Sequence, residues 1–164
     1  MSGQHGKAPG TGEKIVATNR KAHYQFELLD RFEAGIMLEG WEVKSLRMQG
    51  ANFIDSFARI TGEEVFLYNL HIPPYKNAVT VDQDSRRSRK LLLHKRQIRK
   101  LTAKVKERGL TLVPLRVYFS HGLAKVELAL ARGKKQYDKR QTLADREQAR
   151  DLQRSRKYGT LGDE

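Results

Sequence analysis

Within six residues the chain places Asn19, Arg20, Lys21, His23 and Tyr24: an amide, two cations, an imidazole and a phenol. These are groups that meet RNA. Asn and His reach base edges, Tyr stacks on an unpaired base, and Arg and Lys neutralise phosphate. Tyr24 equally suits a core position, because it stands two residues before Phe26. In so basic a chain, Glu33 suits orienting an arginine or accepting from a base amino group, and suits a plain surface carboxylate as well. Further cations for RNA follow at Lys44 and Arg47, and at Arg89 and Lys90 beside Arg86 and Arg87.

From Gly133 the chain reads GKKQYDKRQTLADREQARDLQRSRK. On a helix at about 100° per residue, Lys139, Arg146, Arg150, Arg154 and Lys157 fall within about a quarter of the circumference. Leu143 joins that stripe, and Leu152 points almost opposite. A core-facing helix carries a broad apolar stripe; this one carries a basic stripe. It has little reason to pack on its own protein and good reason to fold against a polyanion. Gly133, Lys134, Lys135, Tyr137, Asp138, Lys139 and Arg140 form its root. Thr142 precedes Asp145 by three positions, a capping-box-like start. Asp145 and Glu147 near the start, with Arg154, Arg156 and Lys157 near the end, suit the helix dipole. At roughly 18 residues without tertiary contacts such a helix is marginal.

Signs of catalysis are few. The histidines at 5, 23, 71, 94 and 121 never fall in HExxH or HxH spacing, and there is no cysteine, so no metal site and no cofactor is expected. Gly133-Lys134-Lys135 superficially suggests a phosphate loop, but Leu128 stands where the first glycine belongs and Lys135 where Ser or Thr belongs. Glu33 and Glu39 offer two carboxylates with no feature that separates their roles. The chain is expected not to be an enzyme.

The elements that must hold these groups are mostly strands. Residues 1–13 hold four glycines and a proline and suggest a disordered arm. Tyr24, Phe26 and Leu28 alternate with polar neighbours as in a half-buried strand, and 32–38 suggests a second, with Gly35 at a bulge or bend. Residues 40–50 suggest a short helix presenting Val43, Leu46 and Arg47. Runs 53–60 and 65–72 suggest a hairpin turning at Thr61-Gly62-Glu63, with Pro73-Pro74 as the stop and a long loop over 75–88. From His94 to Arg108, Ile98, Leu101 and Val105 give one apolar stripe, and Gly109 ends it. Runs 111–119 and 123–131 flank Ser120-His121-Gly122, a tight-turn sequence, and Pro114 suggests an edge or a bulge. Six strands with short connections, and no repeated strand–helix–strand unit, argue for a small antiparallel barrel over residues 14–133. With a basic surface, an OB-like barrel with two to three helices and a basic C-terminal tail (134–164) is the leading architecture.

Composition agrees. Lys and Arg number 32 against 19 Asp and Glu, a net +13, which suits a polyanionic partner. No apolar run nears the ~20 residues of a spanning helix, and the first residues lack the apolar segment of a secretory signal. The absence of cysteine suits a reducing cytoplasm, and a monomer is expected. An RNA-binding adaptor, a ribosomal or ribosome-assembly protein with an rRNA-threading tail, and an RNA-processing hydrolase share this composition.

Four stretches narrow that choice: AGIMLEGWEVKSLR (34–47), NFIDSF (52–57), SRKLLLHKRQI (88–98) and KVELALARGKKQYDKR (125–140). Together and in this order they resemble the SsrA-binding protein family, also called small protein B. The resemblance spans most of the chain and implies an OB-like barrel in a bacterial cytoplasmic factor for trans-translation. Such a factor binds the tRNA-like domain of transfer-messenger RNA (tmRNA) and carries it to stalled ribosomes, with elongation factor Tu as a further partner on the charged RNA. It implies that residues 19–24, Glu33 and Leu92 support binding at the RNA elbow and D-loop. It implies that Asp138, Lys139 and Arg140 belong to a tail (134–164) that is disordered when free, enters the decoding centre and becomes helical along the empty mRNA channel. Two departures stand out. Gln148 sits where many family tails carry Trp, and Tyr137 sits where some members have His. A tyrosine with an unshifted pKa of about 10 stacks but does not titrate near neutral pH.

Overall fold

The computed structural model describes residues 12–79, 82–134 and 136–158, and arranges seven strands in one antiparallel sheet, six of which close into a ring. In chain order the elements are β1 (Glu13–Thr18), α1 (Ala22–Gln25), β2 (Phe26–Ile36), α2 (Gly40–Gln49), β3 (Phe57–Thr61), β4 (Glu64–Tyr68), β5 (Arg89–Leu92), α3 (Lys95–Arg108), β6 (Thr111–Ser120), β7 (Leu123–Gly133) and α4 (Gln136–Tyr158). Strands β6, β3, β4, β5, β2 and β7 follow one another, and β7 closes on β6. Strand β1 shares one edge of β6 with β3. It pairs with Arg116–Ser120, while β3 touches that edge at Leu112. The small antiparallel barrel expected from the strand pattern is borne out.

The expected strands at Phe26–Leu28 and 32–38 are one continuous strand. Its register shifts between Leu28 and Arg31, which bends β2 and resets its alternation. Gly35 is not the bulge. It lies in regular pairing between Leu92 and Lys125, and a Cβ there would come within 3.3 Å of the Leu92 side chain. Tyr24 belongs to the short helix α1 rather than to the strand. The strands at 53–60 and 65–72 are shorter than expected, because Asp55 (φ 61) and Asn69 (φ 59) turn the backbone out of extended geometry. Phe53, Leu70 and Ile72 remain buried in the core all the same. Strand β5, four residues between a polar loop and a helix cap, is absent from the sequence reading. Glu13, placed in the N-terminal arm, opens β1; residues 1–11 lie outside the described residues.

The bulge expected at Pro114 is present as a register shift between Pro114 and Arg116, where the missing amide leaves the ladder incomplete. Helix α3 starts at His94, whose side chain accepts from the N3 amide while Gln97 caps in return, and Gly109 ends it at φ 59. Ile98 and Leu101 pack into one core with Leu67, Leu91, Leu112 and Leu128. Helix α2 buries Trp41 and Leu46, but also Glu42 and Ser45. Helix α4 runs 23 residues, and its described side chains are exposed apart from a half-buried Thr142.

Candidate nucleic-acid interface

Strand β2 brings Glu33 and Leu92 together. Gly35 pairs with Leu92 on one side and Lys125 on the other, and a polar groove of about 480 Å³ opens there among Glu33, Gly35, Leu92, His94, Gln97 and Lys125. Leu92 is half exposed, an apolar contact in a polar wall. Glu33 accepts a hydrogen bond from the buried Tyr118 hydroxyl, and Lys125 Nζ lies 3.3 Å from its other oxygen. The Tyr118 hydroxyl, and after it Lys125, hold the Glu33 carboxyl below the usual range against the opposing effect of burial. Burial and the Glu33 carboxylate push Tyr118 up. Glu33 is thus ionised and fixed in place, with half its side chain open to solvent.

From this groove a charged row continues over the outer face. Arg116 Nε lies 2.8 Å from Glu127, its guanidinium stands 4.6 Å above the Tyr118 ring, and Arg31 lies 3.8 Å from Glu127. The row leads to the β1–α1 corner. There Asn19 latches the chain to β6: its amide Nδ2 donates to the Pro114 carbonyl (2.9 Å) and its backbone N–H to Leu115 (2.7 Å). Asn19 therefore shapes the corner, while Arg20, Lys21 and His23 are exposed and Tyr24 is half-buried. Ala22 anchors the helix in a small cluster with Val113, Leu115 and Ala131. Partial burial, then Arg31, Lys134 and Arg146, lower the His23 pKa, so the imidazole is neutral at pH 7 and offers both a donor and an acceptor.

The other predicted cations divide by environment. Lys44 and Arg47 project from α2, with Lys44 Nζ 5.8 Å from the Tyr75 ring centre and the Arg47 guanidinium 4.4 Å from that of Phe119. Lys90 lies 2.7 Å from Glu64 on the outer face. Arg89 corrects the sequence reading. It is fully buried, with Nε 2.8 Å from Glu42 and Nη1 donating to the Leu70 carbonyl at 2.6 Å, so it presents nothing to RNA.

At the tail root, Gly133 pairs with Phe26, and Lys134 Nζ donates to the His23 carbonyl (2.9 Å) and to Thr142 Oγ1 (3.0 Å). Arg140, Arg146, Arg150 and Arg154 are exposed along α4. Tyr137, Asp138 and Lys139 lie on that helix by backbone only, and Lys135 falls outside the described residues. Sequence reasoning missed Tyr118 and Lys125. Lys125 carried a signal, a polar residue alternating with Val126; Tyr118 carried none, because its ring sits in an apolar strand. Among the described residues no three His, Asp or Glu side chains gather as a metal site.

The SmpB protein family model matches residues 16–158. An SsrA-binding protein of Carboxydothermus hydrogenoformans is 51% identical over 87% of this chain and 96% of its own length. That of Thermosipho africanus is 55% identical over 82% and 91%. A solved chain described under "tmRNA-SmpB: a journey to the center of the bacterial ribosome" superposes with a TM-score of 0.62 at 52% identity. The superposition covers 75% of this chain and 87% of that one.

Proposed function

The chain belongs to the SmpB, or SsrA-binding protein, family, and on that premise we propose that it binds the tRNA-like domain of tmRNA and delivers it to stalled ribosomes. The observation that carries this reading is the Glu33 groove. A fixed carboxylate, an exposed Leu92 and Lys125 stand together, continuous through Arg31 with the cations and neutral imidazole of the β1–α1 corner. Such a surface combines phosphate neutralisation with donors and acceptors for unpaired bases, as recognition of an irregular RNA fold requires.

The tail takes the second part of the task. A helix with exposed cations and no core contact among its described side chains is suited to a phosphate-lined channel, so residues 134–164 probe the decoding centre and the empty mRNA channel while the barrel holds the RNA. In this reading the tail helix is marginal until the channel supports it. With no aromatic at Gln148, it acts through its basic face and the segment from Tyr137 to Arg140. The protein works as a monomeric cytoplasmic adaptor without catalysis, and elongation factor Tu joins through the charged RNA.

The test is capture of RNA from a bacterial lysate on the full chain, followed by sequencing. Strong enrichment of one tRNA-like RNA is expected. Recovery of rRNA alone would point to a ribosomal or assembly protein and sink the proposal.

A further inference from the structure

Strands β3 and β4 bury Ala58, Val65 and Leu67, so by alternation Phe57, Arg59, Phe66 and Tyr68 stand on the outer face. Their rings form a ladder. The Phe57 and Tyr68 rings stack with centres 5.1 Å apart at 14°, and the Arg59 guanidinium lies 5.4 Å from the centre of the Phe57 ring. Tyr68 and Phe66 are splayed, 6.4 Å apart at 50°. All three rings are half-buried rather than sealed in the core, and Arg59 is exposed.

Cross-strand aromatic pairs stabilise a sheet, but that alone leaves the splayed step and the flanking charges unexplained. Stacked bases repeat at about 3.4 Å. Two ring centres 6.4 Å apart leave about the width of one base between them once side-chain rotation closes the 50° tilt. The ladder is bordered by Arg59 at one end and by Lys90, the pairing partner of Phe66, at the other. Lys90, paired with Glu64, and Leu92 lie on the same face of β5, so that face of β5 joins the ladder to the Glu33 groove. Aromatic rings between cations, in a chain of net +13, match the chemistry of single-stranded RNA, whose bases stack while its phosphates pair.

We propose that the outer face of β3 and β4, made by Phe57, Arg59, Phe66 and Tyr68 with Lys90 at its border, is a second RNA-binding site that stacks unpaired bases. It extends the barrel interface and rests on the RNA-binding reading above.

The test uses the full chain with two labelled probes, a mixed-sequence single-stranded RNA oligonucleotide and the isolated tRNA-like domain. Tyr68→Leu and Phe57→Leu are each expected to weaken oligonucleotide binding about ten-fold with an unchanged salt slope, while Tyr68→Phe binds as wild type. Arg59→Gln lowers the salt slope by about one. An oligonucleotide that wild type fails to bind, or that a folded Tyr68→Leu chain binds as wild type does, overturns the site and leaves the tRNA-like reading standing. Failure of wild type to bind the tRNA-like domain, with oligonucleotide binding and its ring dependence intact, overturns that reading and keeps the site. Photocrosslinking of 4-thiouridine RNA to the unaltered chain needs no variant to fold. Crosslinks at Phe57, Phe66 or Tyr68 are expected, and crosslinks confined elsewhere overturn the site.

Discussion

Arg89 places its Nε 2.8 Å from Oε1 of Glu42, and both side chains are sealed from solvent. The other Glu42 oxygen takes Arg87 at 2.6 Å, and Arg89 also reaches the carbonyls of Leu70 and Ser85. One buried carboxylate thus joins α2 to β5 and to the chain that leads into β5. Two arginines and the Glu39 amide keep Glu42 ionised against desolvation, which is the largest single influence on its carboxyl.

Removing one partner leaves the other charged and buried. Glu42→Ala should cost about 3–5 kcal/mol, a large part of the ~5–15 kcal/mol that holds a domain together, and Arg89→Ala less, because Arg87 still pairs Glu42. Urea denaturation measures the loss. A paired replacement by apolar residues of similar volume should recover most of it. Where Arg89→Ala still folds, its affinity and salt slope for RNA should equal those of wild type. A reduced slope without a stability loss would restore Arg89 to the RNA face.

Arg89 and Lys90 also show how far the sequence could be read. Both belong to one basic cluster, and composition places them together against RNA. In a strand, neighbours point to opposite faces, so Arg89 enters the core and Lys90 meets Glu64 outside. That division depends on β5, whose four residues are too few for a period to be seen. Helix α3 was legible because apolar stripe and terminal glycine agree over fourteen residues. The bend in β2 was not, because a bulge resets the alternation and splits one strand into two apparent ones. Of the groove, Glu33 drew notice as an acid in a basic chain, but Leu92 came only with the family resemblance. Their meeting across Gly35 is a fact of register that local patterns do not carry. Asn19 was legible as a polar group but not as a latch, since Pro114 lies far along the chain.

The bond from Tyr118 to Glu33 has a pH signature. The folded carboxyl titrates below its ordinary range, chiefly because of that hydroxyl. Its stabilising contribution is present in full above the ordinary carboxylate range and is lost as pH falls from there through the folded pKa. Tyr118→Phe should raise the Glu33 pKa toward the ordinary value. It should also lower stability at neutral pH relative to wild type, a difference that fades in acid. Carboxyl carbon NMR titration of both chains checks the first point, and denaturation at pH 7 and in acid the second. The side chain is half open to solvent, so the stability difference should be small.

Helix α4 contributes no described side chain to the core. Truncation after Lys134 removes eight basic and six acidic residues, a net +2 of the chain's +13. Most of the long-range attraction to RNA therefore stays on the barrel. The shortened chain should melt within a few degrees of the full one and bind the tRNA-like RNA nearly as well, yet fail to rescue stalled ribosomes in a reconstituted translation system. A comparable loss of binding and rescue would contradict the division of labour between barrel and tail.

Lys134 is the joint between those parts. Its N–H donates to the Gln25 carbonyl at 3.1 Å and its ammonium to the His23 carbonyl at 2.9 Å, so one residue satisfies two carbonyls of α1. Such carbonyls lack partners within a helix end, and a nearby lysine is a suitable cap. The same ammonium donates to Thr142 Oγ1, which ties an early turn of α4 to α1. Lys134→Met keeps the length of the stem and removes the donors. Each lost bond is worth about 0.5–1.5 kcal/mol, so the core should survive while the direction of α4 loosens. The absence of cysteine makes this measurable, because spin labels on Cys introduced at the exposed Leu123 and Arg150 are the only ones on the chain. Over a tail helix that is marginal when free, wild type should still give a narrower distance distribution than Lys134→Met, with Lys134→Arg, which keeps a cationic donor, between them. Identical distributions in all three would show that the ammonium does not aim the tail, and that the turn of backbone after Gly133 sets its direction alone.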